Sequence, residues 1–98
     1  NFAEIHPENS VVILGDMFEL GPESLQEHQA MVDLATSFNF DHTFFVGEHF
    51  YQTTTEKYQF RTYEQLEAYL KENRLTQQSI LIKGSRGMRL ERILDFID

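Results

Sequence analysis

The chain has no cysteine, so neither a disulfide framework nor thiol chemistry can organise it. Cations are scarce. Eight Lys and Arg against sixteen Asp and Glu leave a net charge of −8, which argues against nucleic acid and against an anionic membrane surface as partners. No apolar run approaches the roughly 20 residues of a membrane-spanning helix, and the chain does not open with a signal peptide. Internal repeats, low-complexity runs and interdomain linkers are absent as well. No second His or Cys stands at metal-ligand spacing from His28, which argues against a zinc centre. What is present is a 41% hydrophobic composition with nine Phe in 98 residues. That suffices for one packed core, and the default expectation is a soluble, cytoplasmic domain without membrane insertion.

Asn1 to Ile5 reads as the last turn of a helix that has lost its start, which suggests a chain cut from something longer. Val11-Val12-Ile13-Leu14 is a continuous β-branched apolar run ending at Gly15, the pattern of a strand buried on both faces. After a loop bounded by Gly15 and Gly21, Pro22 suits the first turn of a helix. That helix runs to about Phe38, with an apolar stripe of Leu25, Met31, Val32, Ala35 and Phe38. His28 lies on the same face and is read as a packed residue bonded to the neighbouring loop. His42 to Val46 is a second strand closed by Gly47, and Glu48 to Thr55 reads as either a short helix or a loop. Tyr58 to Phe60 is a brief third strand. Thr62 is placed to cap a helix over Tyr63–Glu72, with Gln65 at the capping-box position. A fourth strand covers Ile80–Ile82, and a helical pattern follows over Met88–Phe96.

This alternation implies an α/β, three-layer, Rossmann-like fold with a mostly parallel sheet of about four strands flanked by helices. The expected strand order is third-second-first-fourth. The first and fourth strands are then neighbours whose helices leave to opposite faces, a switch point beyond whose carboxyl ends such sheets bind ligands.

Two loops would meet there. Lys83-Gly84-Ser85-Arg86-Gly87 concentrates cations in an acidic chain, and two glycines permit close backbone approach or positive φ. Strand, glycine turn and helix together suggest a seat for a carboxylate or phosphate. The turn is neither a Walker A loop nor G-x-G-x-x-G. Opposite it, Asp16 would face the two cations, so the pair of loops could hold a zwitterion. The plainer alternatives are a solvated basic turn and an Asp16 that pairs with Lys83 or caps its own loop.

Val12-Ile13-Leu14-Gly15-Asp16-Met17-Phe18-Glu19-Leu20-Gly21, His28 seven residues on, and Leu81-Ile82-Lys83-Gly84-Ser85-Arg86-Gly87-Met88 with Glu91 resemble the C-terminal domain of the Mur ligases, in particular the type that adds D-alanyl-D-alanine. The likeness covers the whole chain in order and length, but only the two loops are specific. It implies a three-domain cytoplasmic enzyme of peptidoglycan synthesis. ATP and magnesium are held by a central domain and UDP-N-acetylmuramoyl-tripeptide by an N-terminal one, and the C-terminal domain orients the incoming dipeptide. On this resemblance Lys83, Ser85 and Arg86 are candidates for the dipeptide carboxylate or nearby phosphates. Asp16, Met17 and Glu19 line the opposing wall, and Gly15, Gly84 and His28 support it structurally; no catalytic or metal-ligating residue is assigned. Residues 1–98 would lack the domain's first strand and most of its first helix, and would be inactive alone. Two other classes remain open: a receiver-like phosphoacceptor domain, which lacks its acidic pair here, and a non-catalytic interaction domain.

Overall fold

The structure, a computed structural model, describes residues 8–18, 21–76, 79–84 and 86–97. The expected helix tail at 1–5 lies outside them. Four strands, β1 (Ser10–Gly15), β2 (His42–Val46), β3 (Tyr58–Phe60) and β4 (Ser79–Lys83), form one sheet in the order β3-β2-β1-β4. Every pairing is parallel. The expected order holds, and β1 lies between β2 and β4 with all six of its residues buried. That is why its sequence is an uninterrupted apolar run: both of its faces are covered.

The alternation of side chains along β1 divides the core in two. Val11 and Ile13, with Phe44 and Val46 of β2, pack against Tyr63, Leu66 and Leu70 of α3 (Tyr63–Glu72) and against Leu90, Ile93 and Ile97. Val12 and Leu14, with Phe45, face Val32 and Ala35 of α1 (Ser24–Ser37) and Phe50 of α2 (Glu48–Tyr51). The segments that follow β1 and β4 therefore leave to opposite faces of the sheet. The stretch after β2 resolves as a one-turn helix. Leu25 is a correction: it is half exposed, off the stripe that His28, Val32 and Ala35 bury.

Helix α3 starts as its sequence dictates. Thr62 Oγ1 accepts the Gln65 N–H of the first turn at 3.2 Å, while Gln65 Oε1 reaches back past the cap to accept the Arg61 N–H at 2.8 Å.

The C-terminal segment differs from expectation. Instead of one α-helix over Met88–Phe96 there are two 3-10 pieces, Arg86–Met88 and Leu90–Phe96. They are separated by Arg89 in the left-handed region at φ 50°, ψ 47°. The packing of Met88 and Leu90 accounts for the break. A methyl group on Gly15 would stand 2.6 Å from Leu90 Cδ1 and 2.7 Å from Met88 Sδ, so both side chains press on the same glycine at the end of β1. In a regular α-helix, residues two apart point to different faces. A left-handed residue between them turns both inward.

Candidate functional site

Because β1 and β4 are parallel neighbours, with Leu14 opposite Lys83, their carboxyl ends emerge side by side. A cavity of about 320 Å³ opens there, lined by Leu14, Gly15, Met17, Phe18, Met31, Phe50, Lys83 and Gly84. This is near the lower end of the roughly 300–1,000 Å³ typical of small-molecule sites. The wall is apolar, and Lys83 brings one full positive charge to it. The predicted meeting of the two loops is therefore present in the fold. A wider groove of about 730 Å³ lies where the chain enters β2 and β3, lined by polar residues such as Asp33, Thr36, Asn39 and Glu56. It faces away from the carboxyl ends of the strands.

The β1 side of the cavity is held by buried polar groups. Asp16 is only 3% exposed. Its Oδ2 accepts the His49 N–H at 2.9 Å and its Oδ1 the Phe50 N–H at 3.0 Å, so the carboxylate caps α2 from another part of the chain. Gly47, at φ 127°, begins that helix, and a side chain there would collide with the Asp16 carboxylate. Asp16 thus caps α2, a partner more than thirty residues away in sequence that none of the sequence readings named.

His28 is fully buried. Its Nε2 accepts the Met17 N–H at 3.0 Å, so the ring proton sits on Nδ1, which donates to the Ser24 carbonyl at 2.7 Å. The loop bond expected of His28 is present. Its ring stacks on His49 at 5.1 Å between centroids and meets the edge of Phe50. Ser24 Oγ shares a hydrogen bond of 3.1 Å with His49 Nδ1. Met17 is thereby fixed at the cavity wall while Phe18, half exposed, stands at its rim.

The β4 side is built differently. Lys83 and Gly84 are exposed and line the cavity. Neither Gly84 nor Gly87 has a positive φ, and of the two only Gly84 stands in a tight packing position. A methyl on Gly84 would meet Leu90 Cδ1 at 3.0 Å and the Gly15 Cα at 3.1 Å, whereas Gly87 has open space. Glu19 and Ser85 lie outside the described residues, as does the side chain of Arg86; the Arg86 backbone opens the first 3-10 piece. Among the described residues no group of three or more His, Cys, Asp or Glu is placed to hold a metal.

Inside the helical pattern expected over Met88–Phe96, Arg89 and Arg92 read from sequence as residues of a solvated face, and Arg92 is not one. Arg92 lies 3.9 Å above the Tyr63 ring, and it donates to the Met88 carbonyl at 2.9 Å and to the Arg89 carbonyl at 2.8 Å. The cavity-lining roles of Leu14, Phe18, Met31 and Phe50 also went unread. Their apolar side chains look like ordinary core in sequence, and only the strand order turns them toward a ligand space.

Comparison with known proteins bears on this geometry directly. No family model matches the chain. The UDP-N-acetylmuramoyl-tripeptide–D-alanyl-D-alanine ligase of Borreliella burgdorferi is 34% identical over 91 residues, a match spanning 86% of this chain and 20% of that protein. The chain is similar to one part of the MurF ligases. The ligase of the same name from Rickettsia prowazekii is 28% identical over 99 residues, spanning 95% of this chain and 22% of the relative. Two crystal structures of MurF from Acinetobacter baumannii superpose with TM-scores of 0.61 and 0.62, at 25% and 26% identity. They cover 88% and 87% of this chain, and 21% and 20% of theirs. The chain thus spans about a fifth of the length of the MurF proteins it matches, and the four-stranded parallel α/β fold is shared with them.

Proposed function

We propose that this chain is the C-terminal domain of a MurF-type ligase, which joins D-alanyl-D-alanine to UDP-N-acetylmuramoyl-tripeptide, and that it orients the dipeptide. The observation that carries this reading is the cavity between the β1 and β4 ends, apolar on most of its wall and cationic at Lys83. Such a site suits a small ligand with apolar substituents and a free carboxylate. Lys83, Ser85 and Arg86 take the carboxylate or a neighbouring phosphate. Met17 and Glu19 line the other wall, and Asp16 shapes that wall from beneath by fixing α2.

The domain's contribution is orientation and enclosure: the dipeptide amine is held in line for attack on the activated peptide carboxyl, which removes much of the entropic cost of the encounter. The sequence carries no Walker-type loop. In this reading ATP and magnesium belong to the central domain of the full-length, cytoplasmic enzyme, and the 98 residues alone release no phosphate from ATP.

Steady-state kinetics on the full-length ligase test the assignment. Lys83→Ala or Arg86→Ala removes a charge-assisted hydrogen bond of roughly 1.5–3 kcal/mol, a loss of about 10- to 150-fold in kcat/KM for D-alanyl-D-alanine. Arg86→Lys recovers part of it, since lysine lacks the two-pronged fork. The KM for ATP moves little. Equal losses for Arg89→Gly, which removes the exposed charge while keeping the left-handed turn, would mean a diffuse basic field and would overturn the seat.

A further inference from the structure

The Arg92 side chain joins the carbonyls at the break in the C-terminal segment to α3. Its Nη2 holds the Met88 carbonyl and its Nε the Arg89 carbonyl, while its guanidinium lies on the buried Tyr63 of α3. Those two carbonyls flank and belong to the left-handed residue, Arg89. A non-glycine residue in that region costs about 1–3 kcal/mol unless its surroundings hold it there. The planar fork of an arginine, stacked on an aromatic face, suits two neighbouring carbonyls in a way lysine does not. On either side of Arg89, Met88 and Leu90 press on Gly15, and Leu90 also on Gly84. Gly84 follows Lys83 directly and lines the cavity with it.

We infer that Arg92 is a positioning residue: it clasps the left-handed break at Arg89, and so sets where Lys83 and Gly84 stand at the cavity rim. The inference rests on the proposed dipeptide seat and adds a residue that touches no ligand. Removal of the clasp releases the break, Met88 and Leu90 lose their common direction, and the turn at the end of β4 loses its fixed place against Gly15.

The test uses the full-length ligase with Arg92→Ala, Arg92→Lys and the double variant Arg92→Ala/Arg89→Gly, read by two measurements. In hydrogen exchange, the peptide spanning 83–90 should exchange about tenfold faster in Arg92→Ala, while β1 and β2 stay protected. In kinetics, the KM for D-alanyl-D-alanine should rise about 5- to 30-fold, with the KM for ATP within twofold. Arg92→Lys should recover little. The double variant should recover most of the KM, because glycine occupies the left-handed region without a clasp. A lowered melting temperature with unchanged dipeptide KM would make Arg92 merely structural and overturn the inference, as would failure of the glycine to rescue. If Arg92→Ala accelerates exchange at 83–90 while Lys83→Ala leaves the dipeptide KM untouched, the clasp is upheld and the seat itself is lost.

Discussion

The two walls of the cavity solve the same problem by opposite means. The loop after β1 is fixed by buried polar groups with defined partners: Asp16 on two N–H groups of α2, and His28 between Met17 and Ser24. The turn after β4 carries an exposed cation and is fixed from behind, by Met88 and Leu90 packed on glycine and by Arg92 on carbonyls. A buried carboxylate whose oxygens accept helix N–H groups is part of the fold, and its loss is a loss of stability. An exposed lysine at the rim of an apolar cavity contributes little to folding and is available to a ligand. Charge type alone does not separate these roles; burial and partners do.

The strongest way to break this contrast is Asp16→Ala. It leaves the N–H groups of His49 and Phe50 without their acceptor beside a nearly closed core, and should destabilise by about 2–4 kcal/mol. Urea unfolding of the full-length protein, followed by a probe in this domain, measures it; a change under 1 kcal/mol would mean that the cap is dispensable. His28→Ala comes next, at about 2 kcal/mol, from the lost Met17 bond together with the space the ring leaves. Its effect on rate should follow the loosened loop. A large fall in kcat at unchanged melting temperature would instead assign His28 to the chemistry.

Two glycines sharpen the same comparison. Gly84→Ala must displace the Gly15 backbone or Leu90 and should cost about 1 kcal/mol, whereas Gly87→Ala has open space and should stay within about 0.5 kcal/mol. Thermal melts of the two variants check the order. The smallest effect lies beneath the clasp. Burial first, and then the nearby Glu67 carboxylate, push the Tyr63 phenol up to about 12. The folded chain therefore keeps this proton after the unfolded chain has lost it near pH 10. The contribution is complete below pH 10 and lost as pH rises through about 12, so Tyr63→Phe should flatten stability over that window.

Most of this fold was legible before any coordinates. The uninterrupted run Val11–Leu14 announces a strand covered on both faces, and Thr62 with Gln65 marks the start of α3. The strand order follows from the alternation of elements, and with it the meeting of the Gly15 and Gly84 loops. Periodicity failed where packing overrode it. Met88, Leu90, Ile93, Leu94 and Ile97 read as one helical pattern, yet Leu94 is half exposed, and Met88 and Leu90 both reach Gly15 across a left-handed residue. Asp16 reads as facing the cations, pairing with Lys83 or capping its own loop, because its partners, His49 and Phe50, lie more than thirty residues away. Arg92 reads as solvated because nothing local reveals Tyr63 beneath it. These are long-range facts, and local sequence pattern is blind to them.

The account turns on the claim that the β4 cation serves a ligand while the β1 carboxylate serves the fold. The most direct measurement pairs the melting temperature with the D-alanyl-D-alanine KM for Lys83→Ala in the full-length ligase. The account predicts a dipeptide KM raised at least about tenfold with the melting temperature unchanged, as expected for losing one charge-assisted contact to a ligand from an exposed side chain. A dipeptide KM unchanged at every temperature, or one whose rise disappears well below a lowered melting transition, would contradict it.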